Sequence, residues 1–273
     1  MPASYPLRIA PDGAVPTLRA MLPSEHRRQV LARMLGLAAP AWWPGAASAT
    51  PALLRFAVGD SWAPPYLIRR GSEPAAGLLM DLMHAIAQAA GARPVFIRLP
   101  SQRVDAALRD GEVDLHCLIS PSWYGPAGPP GLLGPPMVVL EDVLVMREPG
   151  GAVDLAGQRG LRVGTVLGYR YDPLQAAFEA GRLIREDAPS QSRMLEKLRL
   201  GRSEAAVCDR RVLQHFNRSL PPQQRLHARQ RVSQTVTHAC LSPKSDWPAS
   251  RLLEALTQVI SRGDLKRLLA DAD

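Results

Sequence analysis

Two acids in this sequence stand where a chain can use them for chemistry. Asp60 closes the run LLRFAVG and Asp209 closes EAAVC, each at the carboxyl end of a strand-like segment. Carboxylates brought together with displaced pKa values can serve as general acid and base; singly, each can accept a ligand N–H. Both also have plain structural readings. Asp60 can be a turn residue ending its strand, and Asp209 the N-cap of the helix that follows. His116-Cys117 and His238 with Cys240 are metal-ligand types, but strand alternation turns His116 and Cys117 to opposite faces, which argues against a shared metal. A GxSxG elbow, HExxH, a Walker loop and CxxC are all missing, so neither an enzyme nor a cofactor is expected.

The elements that must position these residues alternate between strand and helix. Residues 53–59 alternate apolar and polar as a strand should. From Gly77 to Ala90 the positions Leu78, Leu79, Leu82, Met83, Ile86, Ala87 and Ala90 share one helical face, with Gly91 placed as C-cap. A strand is expected at 94–99, a helix from a Ser101 cap to Arg109, and a strand at 113–119. The second half repeats the order: strand 161–167, helix 172–180, strand 182–187, helix 191–200, strand 204–208. LPSQRVDAALRDGEVDLHC from Leu99 answers APSQSRMLEKLRLGRSEAAVC from Ala188, with PSQ at the same place in the same unit. Each half reads as one doubly wound α/β lobe.

Between the halves, SPSWYGPAGPPGLLGPP (Ser120 to Pro136) is Pro- and Gly-rich without periodicity. An apolar strand from Met137 to Met146 then carries the chain onward. After Asp209 a polar, Arg/Gln-rich passage runs to Gln234, and a strand at 236–241 and helices near 247–262 and 263–270 finish the chain. Hydrophobic content is 46% and charged content 21%, ordinary for a folded domain. The net charge of +8 comes mainly from Arg scattered among acids with no basic run, which argues against a nucleic-acid surface.

The first fifty residues read as an address. Arg27-Arg28, then Val30 and Leu31, a weakly apolar stretch to Trp43 and Ala47-Ser48-Ala49 follow the order of a signal peptide. The paired Arg resembles a twin-arginine export signal; general secretion and a surface helix capped by Ser24 are the alternatives. Met21 stands at a more ordinary distance from the pair, with residues 1–20 then an upstream extension. The apolar stretch is too short and too broken by Pro40 and Pro44 to span a bilayer. No Cys follows the cleavage site, so no lipid anchor is expected there. A mature, periplasmic chain would begin near Thr50. Export permits disulfides, and the three cysteines, Cys117, Cys208 and Cys240, leave at least one free.

The segments LRFAVGDSWAPPYLI, GLLMDLMHAIAQAAG, ALRDGEVDL, DLAGQRGLRVGTVLGYRY, LEKLRLGRSEAAVCD and LLEALTQVISRGDLKRLL resemble, in order and spacing, the periplasmic solute-binding proteins of type II, and within them the polar amino-acid (family 3) group. The resemblance spans about residues 53–270. It implies two Rossmann-like lobes joined by a two-strand hinge, with a ligand held in the cleft between them. It assigns residues 50–140 to the first lobe, 141–234 to the second and 235–273 to a return to the first, after a signal peptide at 1–49. Asp60, Tyr66 after Pro65, Gly168 with Tyr169, and Asp209 match ligand-side positions of that family. The family's Arg, whose planar fork grips a ligand carboxylate, has no counterpart in SPSWYGPAGPP; Arg103 and Arg170 are the substitutes on neighbouring elements, and Ser120 begins that stretch. Trp62, Tyr66, Trp123 and Tyr124 offer stacking surfaces, although for Trp123 loop packing is the preferred reading.

The implied function is capture of a small polar solute for an ABC-type membrane permease, by a monomer that closes on its ligand. A sensor or accessory protein of the same fold is the alternative. A third is a small dehydratase or lyase using Asp60 and Asp209.

Overall fold

Strand and helix propensity are set residue by residue, but only packing decides which strands become neighbours. The computed structural model describes residues 51–71 and 73–272. The proposed signal segment at 1–49 lies outside the described residues.

The chain opens with β1 (Leu53–Gly59), a short antiparallel pair β2 (Ile68–Arg70) and β3 (Glu73–Ala76), and helix α1 (Leu78–Ala90). Then come β4 (Arg93–Leu99), α2 (Val104–Asp110) and β5 (Leu115–Ile119). Strands β4 and β5 flank β1 in parallel. The periodic face of α1 is buried as expected, including Leu79, Leu82, Met83, Ile86 and Ala87. Gly91 closes the helix in the left-handed conformation, and its N–H reaches Gln88 O while that of Ala92 reaches Ala87 O.

Strand β6 (Leu132–Met146) leaves this first lobe, and the second follows as β7 (Leu161–Val166), α3 (Asp172–Glu179), β8 (Leu183–Ala188), α4 (Gln191–Arg199), β9 (Ala205–Asp209) and α5 (Arg210–Arg218). Here too the strands are parallel, with β7 between β8 and β9. Strand β10 (His227–Leu241) returns, and α6 (Ala249–Ser261) and α7 (Asp264–Ala272) pack against α1. The sheet order β4-β1-β5-β10-β6-β9-β7-β8 places the antiparallel ribbon β6–β10 between two parallel sets. The fold is thus two α/β lobes joined by two crossing strands.

The structure departs from the sequence reading along the crossings. The first crossing begins at Leu132, inside the segment read as a loop, despite Gly134, Pro135 and Pro136. Proline cannot donate to a ladder and is tolerated where register breaks; Pro136 lies opposite His238, at successive register shifts in β10. Gly134 also lets the strand approach α6, since a Cβ there would lie 2.8 Å from Leu256 Cδ1. The return crossing begins at His227, not near 236, and α5, the helix that Asp209 opens, takes up the start of the polar passage. Its polar residues alternate on a half-exposed ribbon, so no apolar run marks it.

One buried cluster continues from α1 and α6, past Val138, Val143 and Val145 of the ribbon, to Met194, Leu195 and Val212 of the second lobe. A second cluster lies under α3, and a third under α2.

Candidate functional site

The two lobes face each other across a cleft of about 290 Å3, walled by residues that follow the strand ends of both halves. Strand carboxyl ends are where a doubly wound sheet exposes backbone and side chains to a ligand. From the first lobe come Ser61, Trp62, Tyr66, Gln102, Asp105, His116, Trp123 and Tyr124; from the second, Gly168, Tyr169, Arg170, Tyr171, Gln191 and Asp209. Strand β6 contributes Leu140 and Asp142 to the floor.

Tyr66 is held in place by a close backbone approach. Leu78 and Leu79 donate to the carbonyls of Pro65 and Tyr66 at 3.0 Å each. Gly77 permits this with φ of 114°, because a Cβ there would stand 2.8 Å from both carbonyl oxygens. The Tyr66 hydroxyl then crosses the cleft and donates to Asp209 Oδ1 at 3.0 Å. A second direct bond joins Ser61 Oγ and the Tyr169 hydroxyl at 3.0 Å. The lobes therefore touch through side chains of their own.

Asp209 is both N-cap and cleft residue. Its Oδ1 accepts from Arg211 N at 3.0 Å and its Oδ2 from Glu141 N at 3.2 Å. Burial raises its pKa, opposed by the bond from Tyr66, the backbone N–H groups and the Arg211 charge. Its own N–H donates to Gln191 Oε1 at 2.8 Å. Gln191 belongs to the repeated PSQ tripeptide, and Gln102 is its counterpart. Both line the cleft, one from each lobe. The serines of the two tripeptides diverge: Ser190 caps α4, whereas Ser101 caps nothing with its side chain.

The turn carrying Gly168, Tyr169 and Arg170 is braced from behind by Arg185. Its guanidinium donates to Val166 O and Tyr169 O and lies over the rings of Tyr171 and Phe178 at 5.6 and 5.5 Å. Across the cleft the Trp62 and His116 rings stack with centroids 5.1 Å apart. Leu118, also on the wall, has φ of 64°, a strained conformation for a residue with a Cβ.

Of the residues singled out from the sequence as ligand-side, Trp62, Tyr66, Trp123, Tyr124, Gly168, Tyr169, Arg170 and Asp209 line this cleft, and three do not. Arg103 points outward, 57% exposed, paired with Glu112 at 3.1 Å. The short 3-10 turn at 101–103 that precedes α2 rotates it away, so it does not replace the absent Arg fork. Ser120 is buried off the wall with its Oγ on Ser122. Asp60 accepts from Ser101 N and Oγ at 3.1 and 3.3 Å and holds that turn instead of facing the cavity. An acid–base pair of Asp60 and Asp209 is therefore not assembled. Cys117, Cys208 and Cys240 are buried free thiols. Cys240 stands opposite His116 in the β5–β10 register, one place from Cys117.

Asp142, Asp105, His116, Gln102 and Gln191 were not singled out as ligand residues. Three of them left a signal: Asp142 interrupts the apolar run MVVLEDVLVM, and Gln102 and Gln191 sit in the repeat. The others became cleft residues only through the fold.

Two α/β lobes joined by a two-strand ribbon, with a cleft between them, define the class as the type II solute-binding fold. Among solved structures, the chain is similar to an ancestral arginine-binding protein bound to arginine, with TM-score 0.68 and 17% identity over 80% of this chain and 97% of that one. It is also similar to the BvgS VFT2 domain of Bordetella pertussis (a double mutant; TM-score 0.64, 17% identity, 81% and 93% covered). The arginine-, lysine-, histidine-binding protein ArtJ of Geobacillus stearothermophilus gives TM-score 0.62 and 17% identity over 80% and 94%. At such identities the likeness is one of fold. No protein-family model and no curated protein sequence matches this chain.

Proposed function

We propose that this protein captures a small polar solute in the cleft between its lobes and delivers it, in the closed form, to an ABC-type membrane permease. The observation that carries this reading is a cavity walled from both lobes at their strand ends; Trp62, Tyr66, Trp123, Gly168, Tyr169, Arg170 and Asp209, which line it, are the ligand contacts we assign. A ligand that bridges both walls binds better to the closed arrangement and so shifts the lobes toward it. The similar structures described as arginine-binding and as the substrate-binding protein of an amino acid ABC transporter support the same reading. The lobe limits proposed are 50–140, 141–234 and 235–273, with residues 1–49 a signal peptide of the twin-arginine kind that directs a monomer to the periplasm.

Catalysis has less support. One similar structure is an ancestral amino acid-binding protein described as a precursor of cyclohexadienyl dehydratase. In this chain Asp60 is committed to Ser101 and Asp209 to Tyr66, Arg211 and Glu141. The test is a thermal-shift screen of the purified chain against amino acids, amines, organic acids and sugars. A specific compound should raise the melting temperature in a concentration-dependent way without being consumed. Turnover of that compound, or a flat response to every class, would overturn the reading.

A further inference from the structure

Among the groups that line the cleft are carboxylate and imidazole acceptors with few partners inside the protein. The cleft's hydroxyl donors are largely engaged within the protein: Tyr66 on Asp209, Ser101 on Ser61, Ser61 with Tyr169, and Tyr124 on Asp105 Oδ1 at 2.9 Å. Arg170, at the rim, is 61% exposed and paired with Asp172.

Three acceptors remain. Asp142 stands directly opposite Asp209 across the β6–β9 ladder, where like charges repel. Arg211 and two backbone N–H groups meet the Asp209 charge. Asp142 receives a single neutral bond, from Ser233 Oγ to Oδ2 at 3.0 Å, and makes no ion pair among the described residues. Its Oδ1 has no protein partner among the described residues, and the residue lines the cavity. The second acceptor is His116. Its Nδ1 lies 3.2 Å from Ala57 O, which can only accept, so that nitrogen carries the proton. Nε2 is then a bare acceptor on a ring 7% exposed, opening on the cavity with no partner among the described residues. Burial pushes the ring's pKa down to about 4, which keeps it neutral. The third is the second oxygen of Asp105. Burial raises the Asp142 pKa to about 6, with Ser233 opposing and Asp209 adding, and no counter-ion among the described residues offsets it. The faces of Trp62, Trp123, Tyr124 and Tyr169 line the same space, and such faces attract cations.

Resting on the solute-binding reading above, we propose that the cleft takes an organic cation without an α-carboxylate. Its ammonium or guanidinium N–H groups are received by Asp142 Oδ1 and His116 Nε2, and its body lies against the aromatic walls. A carboxylate would meet Asp105, Asp142 and Asp209, and Arg170, the guanidinium on the wall, is already paired with Asp172.

The experiment is calorimetric titration of the purified chain at neutral pH with matched pairs that differ by the carboxylate: agmatine and arginine, cadaverine and lysine, tyramine and tyrosine, histamine and histidine. Succinate and glucose complete the set. At least one amine should bind about tenfold or more tightly than its parent amino acid, and Asp142→Asn should weaken that amine by about tenfold or more. An amino acid binding as tightly as its amine, or binding of succinate or glucose alone, overturns the cation assignment and leaves solute binding standing. No heat with any compound overturns both. The matched comparison is made on the unaltered chain, so it decides the question even if Asp142→Asn does not fold.

Discussion

Tyr66 and Asp209 each do two things at once. Tyr66 is a buried ring in the first lobe's core and the donor that spans the cleft; Asp209 starts α5 and receives that donor. Tyr66→Phe keeps the ring and removes the hydroxyl, leaving a buried carboxylate one bond short. A hydrogen bond to a charged group contributes about 1.5–3 kcal/mol, so denaturant melts should show a loss in the lower part of that range, because Arg211 and the backbone still serve Asp209. An unchanged midpoint would mean that the hydroxyl bond across the cleft contributes nothing in solution.

At the scale of elements, the first lobe is tied by Asp114, which sits just before β5 and is 1% exposed. Its Oδ2 accepts from Arg55 N at 2.8 Å and Nε at 3.0 Å, and its Oδ1 from Arg55 Nη2 at 2.8 Å and Ser245 Oγ at 2.7 Å. One side chain thus joins β1, β5 and the segment before α6. Burial alone would raise this carboxyl's pKa, but the bonds from Arg55 and Ser245 outweigh it and hold it below the ordinary range. A carboxylate depressed in the folded state contributes stability that is complete above its unfolded pKa and is lost as pH falls through the folded one. Stability should therefore decline as the pH drops below about 4. Asp114→Asn should lower stability at neutral pH by about 2 kcal/mol and flatten that acid limb. Chemical denaturation across pH measures both, and an Asn variant with an unchanged acid limb would assign the decline to other carboxylates.

For the whole molecule, the closure proposed above puts weight on the side-chain bonds that cross the cleft. The Tyr66–Asp209 and Ser61–Tyr169 bonds join the lobes beyond the ribbon and the buried cluster. Weakening the closed arrangement lowers apparent ligand affinity by the fraction of molecules still competent to bind. The double variant Tyr66→Phe, Tyr169→Phe should give a larger radius of gyration in small-angle scattering, and ligand should restore compactness with affinity reduced about tenfold. Equal radii for both proteins, with and without ligand, would show that these bonds do not set the balance.

The strands and helices of both lobes were legible because their apolar residues recur at strand and helix periods, as along α1 and in the two PSQ units. Local chemistry also marked Asp209 as a cap and Gly91 as a helix end. The long crossings were not legible at their outer ends. A half-exposed antiparallel ribbon tolerates polar residues at 227–235 and prolines at register shifts, so neither period nor propensity reveals it. Nor could the sequence sort Arg103, exposed and paired with Glu112, from Asp142, opposite Asp209 in the cleft floor. Which face a charged side chain takes depends on strand pairing across 67 positions of chain, from Asp142 to Asp209. Sequence determined the two-lobed pattern, because periodicity is a local property. Tertiary structure alone decided the charge and hydrogen-bond sense of the cleft, because that is a sum over residues brought together from every part of the chain.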